Sequence, residues 1–234
     1  MGKEITALEV LSNVLKGGQH QLALELRQVP PAPNLQERIG AESKSEDFSR
    51  ARTLSHEEGI PFWHSVFRLG SQASKGVSPV ILEAALYSQS TEHFSYVTAD
   101  ESFVENATSA VAEADPNVYI VASSAVDTDD GKRHIPMLDF STKERWPGAL
   151  DTAVGSIRAL GLPGTLLASG RSFHFIGDHF LTWEKYSHFL YRALLLAPIV
   201  DERWVAHQML AGNATLRVSP NSHGEVPRQV ARIV

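Results

Sequence analysis

A hydroxyl, a guanidinium and an imidazole sit close together in Ser169-Gly-Arg-Ser-Phe-His-Phe-Ile176, a grouping suited to holding phosphate. Two carboxylates flank this segment in sequence. Asp139 ends the apolar run Ile135-Pro-Met-Leu-Asp, and Asp201 ends Leu196-Ala-Pro-Ile-Val-Asp. Carboxylates that converge from separate segments can share a divalent cation, which would bridge incoming phosphates and activate an attacking hydroxyl. Arg217, in Asn213-Ala-Thr-Leu-Arg-Val218, adds a second fork of donors. Each group also has a plainer role. Asp139 reads either as a cation ligand or as the cap of a turn, and Asp201 either as a ligand or as the N-cap of the helix that follows it. His174, between two phenylalanines, reads either as a phosphate ligand or as a buried, hydrogen-bonded imidazole.

The elements that must position these groups follow from patterning. The runs Phe94–Val97, Val118–Val121 and His134–Phe140 are short and rich in β-branched and aromatic residues, with a turn signal over 127–131. This places Asp139 at a strand end. Residues 148–160 have helical spacing ended by Gly161-Leu-Pro-Gly164, and a strand opens at Thr165. Strict alternation from Ser169 would put His174 on the opposite face from Arg171, so Gly170-Arg171 is expected at a hairpin tip. An amphipathic helix capped by Thr182 then runs to Leu195, with Lys185 and His188 on its polar side. A short helix from Asp201 and a final strand over 213–219 complete the order.

Before this region, helical spacing from Ile5 ends at Gly17-Gly18, a second short element follows, and Pro30-Pro-Ala-Pro33 stops it. Residues 34–60 are polar and suit an exposed connection or a loose helix. Trp63–Leu69 and Ser78–Tyr87 look helical, the latter with Pro79 at its first position. The expected organisation is a mainly helical extension over residues 1–75 and an α+β core over 76–234, with an antiparallel sheet packed by helices.

The order of these motifs and their hydrophobic flanks resemble the archaeo-eukaryotic primase superfamily, over roughly residues 94–234. Its members carry an acidic pair after a strand, a Ser-x-His or Ser-Gly-Arg-x-x-His element, and a further Asp after an apolar run. Ser141 stands where the second acid usually is, which resembles the one-aspartate, 1D-like subgroup. The resemblance implies an RRM-like sheet with an N-terminal αβ extension. It also implies roles: Asp139 and Asp201 on Mg²⁺ or Mn²⁺, and Ser169, Arg171, His174 and Arg217 on a nucleoside triphosphate, with Asp139, Asp201 and His174 catalytic. With one anionic ligand replaced by a hydroxyl, a single ion is expected. His223 falls where relatives often have Lys, replacing a permanent cation with a group mostly neutral at pH 7.

Composition narrows the class. The chain has 234 residues, 43% of them hydrophobic, enough for a substantial core, and its lack of cysteine excludes disulfides, thiolate zinc and a cysteine nucleophile. Its apolar runs are too short and too interrupted for a bilayer span, and the N-terminus has no signal-peptide pattern, so a cytoplasmic protein is expected. The formal charge of −6 disfavours a nucleic-acid-coating protein, although Lys132, Arg133, Lys143, Arg145, Arg158 and Arg171 cluster around the first two motifs. Two functions follow from the resemblance. One is a metal-dependent nucleotidyltransferase of primase-polymerase type with a reduced metal site, acting on single-stranded nucleic acid in a prokaryotic defence system. The other is a catalytically inactive primase-fold sensor that binds nucleotide or nucleic-acid ends and signals to partner proteins.

Overall fold

The computed structural model describes residues 4–16, 23–30, 45–73, 76–87, 93–98, 100–115, 117–221 and 224–234. The proposed stop at Gly17-Gly18, most of the proline run and His223 lie outside them. By its contacts the chain forms two compact units, Met1–Pro30 with Thr91–Val234, and Pro31–Ser90. The first thirty residues therefore go with the sheets, not with the helices that follow them.

The smaller unit contains α2 (Ser45–Glu58), α3 (Phe62–Gln72) and α4 (Pro79–Leu86). Ser78 caps α4 by accepting from the Ile81 N–H, and Pro79 supplies the fixed φ of a first helical residue. Phe48, Ala51, Val66 and Ala84 form its small core.

The larger unit is α+β. It begins with α1 (Ala7–Leu15), entered through a capping box in which Thr6 N–H donates to Glu9 Oε2 at 2.8 Å and Glu9 N–H donates to Thr6 Oγ1 at 3.4 Å. The strands are β1 (Ala23–Val29), β2 (His93–Thr98), β3 (Tyr119–Thr128), β4 (Gly131–His134), β5 (Met137–Asp139), β6 (Gly164–Ala168), β7 (Phe173–Gly177), β8 (Thr215–Arg217) and β9 (Arg228–Ile233). The helices are α5 (Phe103–Glu113), α6 (Ala149–Leu160), α7 (Trp183–Leu194) and α8 (Glu202–Ala211). No helix among the described residues is long and apolar enough to cross a membrane.

The strands form two antiparallel sheets where the sequence suggests one. β2-β1-β3-β4 make the first, with β8 also paired to β3; β5-β7-β6-β9 make the second. The division lies inside the run 134–140, which patterning reads as a single strand. Pro136 has no N–H to give to a ladder, so β4 ends at His134 and the chain re-enters pairing at Met137, in the other sheet. A second correction concerns the C-terminal region: the strand at 213–219 shortens to β8 and is not the last, because β9 follows and pairs with β6. One continuous core joins α1, both sheets, α6, α7 and α8, with Leu11, Val126, Leu138, Ile157, Phe175 and Tyr186 among its most enclosed side chains.

Candidate active site

Three segments distant in sequence are stitched together at the end of β5. Asp139 pairs directly with His174 across the β5–β7 ladder, and the Phe140 N–H donates to the Phe173 carbonyl at 3.0 Å. On the other side, the Asp201 N–H donates to the Asp139 carbonyl at 3.1 Å and the Ser141 N–H to the Ile199 carbonyl at 2.9 Å, with Phe140 bridged to Val200. Backbone pairing alone thus brings Asp139, His174 and Asp201 side by side. His174 continues in register to Leu167 of β6, so Asp139, His174 and Leu167 form one cross-strand row.

The side chains in this row are poorly satisfied. His174 Nε2 stands 3.6 Å from Asp139 Oδ1, too far for a hydrogen bond, and neither Asp139 Oδ1 nor His174 Nδ1 has a hydrogen-bond partner among the described residues. Burial, then the neighbouring Asp201 charge, pushes the Asp139 carboxyl up to about 8, against the opposing pull of the Phe140 amide, Lys143 and Arg217. Burial and Arg217 push His174 down to about 3, leaving its imidazole neutral. Yet the Asp139 side chain keeps 24% of its surface exposed, so the carboxylate can be reached from solvent. Two adjacent carboxylates, one with a buried and unpaired oxygen, suit a bound cation chemically. Among the described residues no group of three or more His, Asp or Glu is assembled to enclose one, which limits the fit to a single ion on two carboxylates with water completing its shell.

Asp201 also takes the plainer role that the sequence allows it. Its Oδ1 accepts from the Trp204 N–H at 2.9 Å and caps α8, which fixes the carboxylate beside Asp139. Cap and ligand are compatible, since the second oxygen is not used in the cap. His207, one turn further along α8, lies within the field of Asp201; burial and Arg203 push it down while Asp201 pulls it up, and its Nδ1 is enclosed without a hydrogen-bond partner.

The Ser169–Ser172 segment is the tip of the β6–β7 hairpin, as the alternation argument requires. Gly170 adopts φ +98°, open to glycine and costly for other residues, and this turn returns His174 to the face of Asp139. Ser169 is spent on the turn itself: its N–H and hydroxyl both donate to the Ser172 carbonyl, at 2.9 and 3.0 Å. Arg171 is exposed at the tip, with no side-chain hydrogen bond or ion pair among the described residues.

Arg217 is only 8% exposed, and its guanidinium is committed to backbone. Nη1 donates to the carbonyls of Ser219 and Glu225, the latter at 2.7 Å, and Nη2 donates to the Ser169 carbonyl. It therefore ties β8, the 219–225 segment and the hairpin tip together, and acts on Asp139 and His174 through its charge. Glu144, which the sequence does not single out, closes the same region: its Oε1 accepts from the Gly170 N–H at 2.9 Å, and its own N–H donates to the Arg171 carbonyl at 3.1 Å. No sequence signal marks it, because its role exists only once the loop after β5 folds onto the hairpin.

Neither a curated protein nor a solved structure matches the chain. The family model described as AEP-like, archaeo-eukaryotic primase 1D-like, matches residues 99–229, the stretch that carries every element of the site just described. With more than half its length matched, the chain belongs to the archaeo-eukaryotic primase 1D-like family.

Proposed function

We propose that this chain binds a nucleoside triphosphate together with one Mg²⁺ or Mn²⁺ at Asp139, Asp201 and His174, and transfers its nucleotide to a hydroxyl of a single-stranded nucleic acid, a phosphodiester bond forming at the α-phosphorus as pyrophosphate leaves. The observation that carries this reading is the convergence of two carboxylates and a neutral imidazole from three separate segments, with a buried oxygen of Asp139 and a buried nitrogen of His174 both lacking partners. Buried polar atoms are almost always paired, so two unpaired ones in adjacent side chains argue for a ligand. Asp139 and Asp201 would hold the cation, which when bound supplies charge neutralisation for the phosphates and activates the attacking hydroxyl. His174, held neutral by its surroundings, offers an uncharged N–H to a phosphate oxygen, and Arg171 at the open hairpin tip offers a guanidinium. Ser169 and Arg217 contribute by shaping the tip. The family resemblance supports a role in a prokaryotic defence system.

A second reading is favoured by specific observations. Ser141 replaces an acid, and Arg217 is occupied with carbonyls, which together favour a chain that retains nucleotide binding as a sensor and has lost transfer. Incorporation of labelled nucleotide on primed and unprimed single strands with Mn²⁺, comparing the parent chain with Asp139→Ala and His174→Ala, separates the two. Extension lost in both variants is the result expected for transfer. Triphosphate binding that needs His174 without any extension assigns the sensor role, and absence of both binding and extension removes the site.

A further inference from the structure

From the Asp139–His174 pair, the β5 and β7 chains run outward together. They pass through the Phe140 to Phe173 hydrogen bond and reach the Glu144 to Arg171 bond at the hairpin tip, three residues from His174 in the chain. At that outer edge stand Arg145, Trp146 and Arg171. All three are exposed; Trp146 keeps 42% of its surface in solvent and has no stacking partner among the described residues. Among the described residues neither Arg145 nor Arg171 has a carboxylate partner, whereas Arg228 and Arg232 at the far edge of the same sheet are paired with Glu225 and Asp178. Glu144, the acid next to Arg145, is engaged with the Gly170 amide.

Two exposed guanidinium groups and an exposed indole on the same pair of joined loops are the elements with which proteins hold unpaired nucleic-acid strands: the cations follow the phosphates and the ring takes a base. The two loops that present them are not independent, since the paired Glu144–Gly170 and Glu144–Arg171 bonds hold one against the other. We infer that Arg145, Trp146 and Arg171 form a platform for single-stranded nucleic acid at the mouth of the Asp139–His174 site, with a base stacked on Trp146 and neighbouring phosphates on the two arginines. This rests on the proposed nucleotide site and adds the surface that would hold its strand. An acidic chain of net charge −6 must bind a strand through such local contacts, because its overall field opposes approach.

The test is fluorescence anisotropy with a labelled single-stranded deoxyoligonucleotide of about 12 nucleotides, across about 50 to 200 mM salt. Trp146→Ala is expected to weaken binding about 5- to 100-fold without altering the salt slope, and Trp146→Phe to keep most of the affinity. Arg145→Gln with Arg171→Gln is expected to reduce the slope of log affinity against log salt by about 1.4, two phosphates at ~0.7 each. Stabilisation by triphosphate, followed on the parent chain and on Trp146→Ala, which leaves Arg171 and the other proposed triphosphate contacts in place, reads the inner site separately. Strand binding through Trp146 with no triphosphate stabilisation would keep the platform and remove the nucleotide site. Unchanged affinity and slope in these variants, or no strand binding by the parent chain, would overturn the platform.

Discussion

Two buried histidines, one in each sheet, have opposite surroundings. His134, at the end of β4, has its backbone N–H and carbonyl both paired with Leu181, at 2.9 and 2.8 Å, and its Nδ1 faces Ser124 Oγ at 3.5 Å. Its ring stacks on Tyr186 with centroids 4.9 Å apart and meets Trp183 at 5.3 Å. The hydroxyl of Ser124 in turn accepts from the Ala214 N–H at 2.9 Å, and Asn213 donates to Ser123 at 3.0 Å. His174, also buried, has an Nδ1 with no hydrogen-bond partner among the described residues and faces a carboxylate beyond bonding distance. The first imidazole has a hydroxyl partner and two packed rings and holds β4, α7 and the 213–214 turn in place, although Tyr186 Oη and Asn213 Oδ1 nearby have no hydrogen-bond partner among the described residues. The second stands in a row of side chains whose buried polar atoms do not bond one another, beside a second carboxylate, which is the chemistry the proposed ligand site uses.

Substitutions should separate the two kinds of region, and the largest effect is expected where satisfaction is greatest. Arg217→Ala would strip three carbonyls of a charged donor inside the core, at a cost of about 4 kcal/mol in urea denaturation, while Arg217→Lys would recover only part because an ammonium lacks the planar fork. His134→Ala should cost about 3 kcal/mol, or ~6–12 °C in Tm, through lost ring packing and an exposed Ser124, with triphosphate binding per folded molecule retained. Asp139→Asn should act in the opposite direction. Removing a carboxyl that must take up a proton to be buried beside Asp201 is expected to raise the apo Tm by about 2–4 °C at neutral pH and to abolish cation binding.

The smallest effect is in the pH dependence of the apo chain. The folded carboxyl of Asp139, raised to about 8, binds a proton that the unfolded chain has released, so its contribution is full below the unfolded value and is lost as pH rises through 8. His174, lowered to about 3, works the other way: its contribution is present above its ordinary value of 6.5 and is lost as pH falls towards 3. The two oppose each other between about pH 4 and 6.5. Above that window only Asp139 acts, so the apo Tm should fall between pH 6.5 and 8 in the parent chain and stay level in Asp139→Asn. A level profile in both would show that Asp139 is not held protonated.

Much of the site is legible in the sequence, because it depends on local rules. Strict alternation would part His174 from Ser169 and Arg171, which calls for a turn at Gly170-Arg171, and the caps at Ser78, Thr182 and Asp201 are read from residue type and position. What is not legible depends on distant partners. β9 is hidden because, as an edge strand, it carries Arg228 and Arg232, whose charges are answered by Glu225 and Asp178 only in the folded chain. Arg217 has the residue type of a phosphate ligand, and only the positions of three carbonyls, one of them 48 residues away in sequence, reveal its structural use. The two sheets are distinguished by Pro136, a residue whose effect on pairing is plain once β4 and β5 are seen to have different partners.

The most direct measurement is the thermal shift of the parent chain with Mn²⁺ and nucleoside triphosphate together, set against Asp139→Asn and His174→Ala. A ligand at about 100 times its Kd that binds only the folded state should add about 2.7 kcal/mol, read as a rise in Tm of several degrees. The expected result is that rise in the parent chain and its loss in both variants. No shift in the parent chain, or an equal shift in all three proteins, would contradict a nucleotide and cation site at Asp139, His174 and Asp201.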